Sequence, residues 1–270
     1  MRTLFNTALV FIIILVNNGM AQSGWFWQNL LPSGNILQGV SFSDINNGTA
    51  VGEYGTILLT SDGGMTWTSQ IAGTFNHLRD VFFIDAFIGT AVGDSGTILR
   101  TSDSGANWTS QNSGTAENLH HVFFSDAATG TAVGWNDTVL RTTDGGANWT
   151  SQTSGASFLE SVFFTDGNNG TIVGHTGAIL HTTDGGSNWI SQTSGTSDAL
   201  FDVFFLDANN AIVVGQGGTI LRTVDGGANW SLVSSGTSSW LWDVSFSDIN
   251  NGRIVGDLGR VLQTTDGGQS

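Results

Sequence analysis

The sequence predicts an all-β fold of about six four-stranded sheets, on three observations. One motif recurs six times at a step of 40 or 41 residues, Gly punctuates short β-branched and aromatic runs, and no stretch has helical periodicity. The motif reads TSDGGMTW (Thr60 to Trp67), TSDSGANW (Thr101 to Trp108), TTDGGANW (Thr142 to Trp149), TTDGGSNW (Thr182 to Trp189) and TVDGGANW (Thr223 to Trp230), with a sixth copy, TTDGGQS, from Thr264. Its aspartates, Asp62, Asp103, Asp144, Asp184, Asp225 and Asp266, are 41, 41, 40, 41 and 41 residues apart. Val40, Val81, Val122, Val162, Val203 and Val244 open VSF or VFF segments at the same step. Forty residues accommodate four short strands, so each repeat is expected to be one sheet, with repeats starting near 39, 80, 121, 161, 202 and 243.

The repeat from Asp80 shows the order of elements. DVFFID is a short continuous apolar run, expected to be the innermost strand with both faces covered. GTAVG is the second strand, Asp94-Ser95-Gly96 the turn after it, TILRT the third strand, DSG the next turn, and WTSQ the polar outermost strand. Such sheets packed face to face around an axis make a β-propeller. An open ring leaves two exposed edges, so closure matters. Trp27 precedes Val40 by thirteen residues, as Trp149 precedes Val162, so the N-terminal segment is expected to supply the missing outer strand of the last blade; the alternative is a fragment of a larger propeller.

Composition narrows the function classes. The 270 residues include 38 Gly, one Pro and no Cys, which excludes disulfides, thiol nucleophiles and zinc–thiolate sites. Seven Arg and no Lys face 22 acidic residues, a net charge of −15 that repels nucleic acid and anionic membranes. No metal or cofactor is expected, since one carboxylate per turn falls short of the six to eight oxygens calcium takes. Met1 to Ala21 carries Arg2, an apolar run from Ala8 to Val16 and the small residues Gly19 and Ala21, which is the order of a cleaved signal peptide. The mature chain, 22–270, is therefore expected to be secreted or periplasmic, monomeric and not inserted in a membrane.

The motif [ST]-x-D-[GS]-G-x-x-W resembles the Asp-box, or BNR repeat, of sialidases and sortilin-type receptors. The longer context VFFxDxxxGxAVGxxGTILRTxDGGxNWxxQxSGT is similar to the repeat of the photosystem II assembly and stability factor family. The likeness covers Trp27 to Ser270 and implies a β-propeller whose boxes are structural. In that reading Asp62, Trp67, Asp103, Trp108, Asp144, Trp149, Asp184, Trp189, Asp225, Trp230 and Asp266 hold hairpins, each Asp folding onto turn N–H groups while the Trp covers the hairpin.

Function is expected where the repeats differ. The turns after the second strands contain Glu53-Tyr54, Asp94-Ser95, Trp135-Asn136, His175-Thr176, Gln216-Gly217 and Asp257-Leu258. One position before the inner strand reads Gln38, Arg79, His120, Glu160, Phe201 and Trp242, beside Phe75, His77, Phe158 and Trp240. Candidate binding residues for a protein or carbohydrate ligand are thus Glu53, Tyr54, Arg79, Asp94, His120, Trp135, Glu160, His175, Trp240, Trp242 and Asp257. Arg100, Arg141 and Arg222, aligned with His181, are expected to pair with nearby aspartates. Asn107, Asn148 and Asn229 fit glycosylation sequons but recur with the repeat. Catalysis is not expected. Sialidase chemistry, as the resemblance implies it, needs an arginine triad and a Tyr–Glu nucleophile pair. Here Tyr54 is the only Tyr, and Glu53 would point away from it on a continuing strand. The alternative is a BNR-type glycoside hydrolase drawing paired carboxyls from Glu53, Asp94, Glu160 and Asp257.

Overall fold

Gly-bounded runs of four to six residues are too short to bury a core alone, so they pair into hairpins and the hairpins stack. The computed structural model describes residues 34–269. In the second sheet Leu78–Phe83, Gly89–Gly93, Thr97–Thr101 and Thr109–Gln111 pair antiparallel in chain order, with Phe83 opposite Gly89, Gly89 opposite Thr101 and Ile98 opposite Gln111. Four other sheets repeat this order, with first strands Leu37–Phe42, Leu119–Phe124, Leu159–Phe164 and Leu200–Phe205. The sixth, opening at Leu241–Phe246, has three strands among the described residues. The outer strand expected around Trp27, and the signal peptide expected over Met1–Ala21, lie outside the described residues.

Both faces of the first strand are covered, as expected: Val81 and Phe83 pack in the core shared with the preceding sheet, Phe82 and Ile84 on the core shared with the next. The second strand is buried more deeply still, Gly89–Gly93, Gly130–Gly134, Gly170–Gly174 and Ala211–Gly215 being buried throughout. First strands alternate, Leu78, Val81 and Phe83 facing the preceding sheet and Phe82 the next. The VFF run is apolar because its Phe residues pack on one another from sheet to sheet, Phe82 on Phe123 at 5.0 Å and Phe123 on Phe163 at 4.9 Å between ring centroids.

Each core lies between consecutive sheets. Val92 and Ile98 of the second sheet meet Leu119, Val122, Phe124 and Ala132 of the third, and the pattern recurs four more times. Five cores for six sheets leave one face of the first sheet and one of the last uncovered among the described residues. Val40 is accordingly 60% exposed where its counterpart Val122 is 0%, and Val261 at the other end is 52% exposed.

The Asp-box turn is a hydrogen-bonded knot. The Thr142 hydroxyl donates to Asp144 Oδ1 at 2.8 Å and accepts from Gly146 N at 2.9 Å. Asp144 accepts from Asn148 through both the main-chain N (2.9 Å) and Nδ2 (2.8 Å). Gly145 and Gly146, at φ 72° and 89°, supply the left-handed backbone the knot requires. Trp149 then stands edge-on to Phe124, ring centroids 6.0 Å apart. The sequon asparagines are spent in this knot, since Asn107, Asn148 and Asn229 all donate to their box aspartate. A second turn at the same end, in the first hairpin, uses Asp44, Asp85, Asp126, Asp166, Asp207 and Asp248, each accepting from two main-chain N–H groups. With the six box residues, these place twelve of the 22 acidic side chains in turns at one end. Much of the net negative charge is therefore turn architecture rather than a partner surface.

Two outcomes are expected. Gly174→Ala places a Cβ on the Phe158 carbonyl oxygen, and urea unfolding should show a loss of roughly 1–3 kcal/mol. The Asn148 side chain, with other donors of the turn, holds Asp144 down to about 2 from the ordinary 3.8, and Asn188 does the same for Asp184. A lowered folded-state value means stability that is present above about 3.8 and lost as pH falls toward about 2. An Asp144→Asn/Asp184→Asn double variant should therefore show a flatter acid-unfolding curve than wild type across that window.

Candidate functional site

The variable residue of each first strand is the extra residue of a β-bulge. Leu78 faces Gly93 and Asp80 faces Val92, so Arg79 has no partner across the ladder. The same skip occurs at Gln38, His120, Glu160, Phe201 and Trp242. A bulge bends the strand and re-aims one side chain without disturbing the ladder on either side. The turns after the second strands stand beside the bulges. Glu53–Gly55, Asp94–Gly96, His175–Gly177, Gln216–Gly218 and Asp257–Gly259 are single 3₁₀ turns with a left-handed middle residue. This corrects the expectation that Glu53 and Tyr54 diverge on a continuing strand, because Tyr54 sits at φ 55°. Asp137, the position that departs from Gly in the other repeats, is left-handed as expected, φ 60°.

Bulges and turns bring most of the candidate residues into one run of contacts. Arg79 Nε donates to Asp94 Oδ1 at 2.5 Å, and its guanidinium lies 6.0 Å from the Trp135 ring. Trp135 packs on His120 (4.9 Å) and edge-on to Phe158 (5.8 Å). Glu160 is held between His120 Nδ1 at 2.7 Å and His175 Nε2 at 2.9 Å. Burial alone would raise the Glu160 pKa, but the His120 hydrogen bond and the charges of His120 and His175 outweigh it and hold the carboxyl below 4.5. His175 continues through Phe158 and Phe201 to Trp240 and Trp242, Phe201 stacking on Trp242 at 4.4 Å. Asp257 Oδ1 accepts from Trp242 Nε1 at 2.7 Å. Tyr54 instead packs on His77 at 5.0 Å, and Glu53 is half-buried beside it. An open groove of about 990 Å³, lined mainly by the Ser-, Thr- and Gly-rich links 154–157 and 193–197, reaches this run at Phe158 and His175.

A channel-wall set one register step from the bulges escaped the sequence reading. Asp80 Oδ2 accepts from Val122 N of the next sheet (2.9 Å), and Asp202 Oδ2 from Val244 N (3.0 Å), so these carboxylates pin sheet to sheet. Ser161 Oγ also donates to Asp202 Oδ1, 2.7 Å. Burial, then the charge of Asp243, raise Asp202 well above the ordinary 3.8. The signal was the residue preceding each Val: Gly39, Asp80, His121, Ser161, Asp202 and Asp243. The arginine expectation is met in part: Asp126, held below the ordinary 3.8 chiefly by the Ala128 and Thr129 amides, also feels the charge of Arg141. Arg100, near the charge of Asp85, spends its hydrogen bonds elsewhere, on the Thr90 hydroxyl at 2.9 Å and the Ala127 carbonyl at 3.5 Å, and lies over the Phe124 ring at 5.2 Å, joining two sheets. Among the described residues no group of three or more His, Asp or Glu side chains is arranged to hold a metal ion, and no helix is long and apolar enough to cross a membrane.

Asp202 generates a pH test of opposite sign to the Asp-box. A raised folded-state value means that the folded chain holds a proton the unfolded chain releases, so stability falls as pH rises from the ordinary 3.8 through the folded value. Asp202→Asn keeps an acceptor for Val244 N and lets Ser161 accept instead of donate. Thermal melts should show that loss on raising pH in wild type and a smaller one in the variant, where burial still raises Asp243.

The sequence profile of the family described as photosynthesis system II assembly factor YCF48 matches residues 18–110, 107–194 and 189–270. No curated protein matches the sequence. Among solved structures, YCF48 bound to a D1 peptide superposes with a TM-score of 0.73 at 23% identity, over 88% of this chain and 80% of that one. YCF48 from Cyanidioschyzon merolae gives 0.55 at 19% identity, over 89% and 98% of the two chains. The GH74 enzyme of Niastella koreensis gives 0.70 at 16%, over 87% of this chain but 46% of its own. These likenesses show a shared β-propeller fold. With the profile matching nearly the whole sequence, the chain belongs to the photosynthesis system II assembly factor YCF48 family.

Proposed function

We propose that this chain is an exported, non-catalytic binding module that takes a polypeptide segment across the channel mouth. The observation that carries the reading is the run of ring contacts from Trp135 to Trp242, which ends in two tryptophans that remain 40% and 44% exposed at Trp240 and Trp242. Rigid aromatic rings beside fixed polar groups are what a recognition surface contains, because they offer contact area at little cost in side-chain entropy. Family membership supports an assembly-factor-like role, and a YCF48 chain has been solved with a D1 peptide bound. Export rests on the order of charge, apolar run and small residues in Met1–Ala21.

The glycoside hydrolase reading draws on the GH74 neighbour's fold. It asks for two carboxyls facing one substrate, one of them with a raised pKa. Asp94 is engaged by Arg79, Glu160 by two histidines that keep its pKa low, and Asp257 by Trp242. These carboxylates are held as anchors of neighbouring side chains, which favours binding over hydrolysis.

Incubation with a panel of fluorogenic glycosides should give no turnover. Turnover abolished by Glu53→Gln or Asp257→Asn would reverse the assignment. In pull-downs from the native host, a Trp135→Ala/Trp242→Ala variant should recover at least about tenfold less partner than wild type, as expected for loss of two aromatic anchors.

A further inference from the structure

Two departures from the repeat fall together. The links from an outer strand to the next inner strand have seven residues at 71–77, 112–118, 193–199 and 234–240, and six at 153–158. Four of the turns after second strands end in Gly, at Gly55, Gly96, Gly177 and Gly218, where a Cβ would collide with the carbonyl oxygen of Thr74, Thr115, Thr196 or Thr237 in the adjoining link. The turn beside the short link ends instead in Asp137, and that link has Ala156 where the others have Thr. Asp137 has a Cβ, so the Ala156 carbonyl cannot sit where the threonine carbonyls sit. The carboxylate takes up the difference. Asp137 Oδ1 accepts from Ser154 N at 2.8 Å, from Ser154 Oγ at 2.5 Å and from Gly155 N at 3.0 Å. A link that lacks one residue is thus tied down by a side chain held in the left-handed conformation, φ 60°, that Gly adopts more readily.

The open groove of about 990 Å³ lies between this link and the next and meets the aromatic run at Phe158 and His175. Its walls present the hydroxyls of Ser157, Thr193 and Ser197 and the carboxamide of Gln192, and Trp189 contributes a ring. Apart from His175, no ionisable side chain of the described residues lines it, although the chain carries a net charge of −15. The acids nearby are engaged elsewhere: Asp137 with the link, Glu160 with two histidines, and Asp198 with the Thr219 hydroxyl at 2.7 Å. A charged residue laid in the groove would give up water without meeting a counter-charge, which is unfavourable. Hydroxyls and carboxamides both donate and accept, so they serve peptide groups and uncharged polar side chains alike. Resting on the peptide-binding reading above, we infer that the segment stacked on Phe201 and Trp242 leaves the mouth over Phe158 and His175 and continues outward along this groove as an uncharged polar stretch. Asp137 is the positioning residue for that path, since it fixes the wall formed by the shortened link.

The test uses the whole chain and a phage-displayed library of random linear peptides, with affinities measured for the enriched peptides and for versions truncated from either end. The enriched peptides should pair an apolar or aromatic residue with an adjoining stretch of Asn, Gln, Ser, Thr or Gly, and removing that stretch should weaken binding about tenfold. Ser157→Trp and Ser197→Trp, at exposed positions, fill the groove. Each should weaken the full peptides about tenfold and leave the truncated ones unchanged. Ser238→Trp, at the position of Ser197 in the next link, should change neither. Asp137→Gly, which restores the residue of the other turns, should weaken the full peptides alone, and Asp137→Asn, whose amide oxygen still accepts, should keep most of the affinity. Full peptides that bind Ser157→Trp and Ser197→Trp as well as wild type, or a stretch enriched in Asp, Glu, Lys or Arg, overturn the inference. If Trp242→Ala weakens binding while the groove variants do not, the groove path falls and the peptide reading stands. If no peptide is selected, or only a saccharide binds, both fall.

Discussion

Everything in this molecule depends on one packing demand: a four-stranded sheet of short strands has two apolar faces and no way to cover either by itself. The first residue of each inner strand reports it. Leu78, Leu119, Leu159, Leu200 and Leu241 all lie against a preceding sheet and are 0% exposed, while Leu37, which has no such neighbour among the described residues, is 46% exposed. The chemistry of the position is the same in all six, so the neighbour makes the difference. Burial of a leucine side chain is worth about 1.5–3 kcal/mol. A sheet removed from the stack would forgo that contribution at several positions on each face, which is why the repeats are stable only in company.

Function has room because the demand stops short of the mouth. The ladder is satisfied with one residue omitted, so the bulge carries Gln, Arg, His, Glu, Phe or Trp with no change in the strands that flank it. The turn after the second strand is likewise held by its backbone, with the chain doubling back on a left-handed residue whatever its side chain. The opposite end has no such freedom. Its carboxylates, asparagines and threonines are committed to turns, and its arginine at 100 to joining adjacent sheets. The two ends of one scaffold are thus specialised by how completely their polar groups are already used.

Period and punctuation made the architecture legible. A box that requires Thr, Asp, two left-handed residues and a Trp at fixed spacing leaves little alternative to the knot seen at Thr142–Trp149, and a repeat of some 40 residues leaves little alternative to four strands. The variable positions were legible too, because departures stand out against a repeating background. Contacts between repeats were not. That Glu160 is shared by histidines from two sheets, or that Asp80 and Asp202 reach the amides of Val122 and Val244, depends on the angle between neighbouring sheets, which sequence spacing does not encode.

Native-state hydrogen exchange tests the stacking most directly, because protection follows burial and cooperativity rather than composition. The account predicts the slowest exchange at the buried second strands Gly89–Gly93, Gly130–Gly134, Gly170–Gly174 and Ala211–Gly215, together with the amides of Val122 and Val244 that bond across sheets, and much faster exchange over Leu37–Phe42. Equal protection of Leu37–Phe42 and the second strands, or rapid exchange at Val122 and Val244, would contradict it.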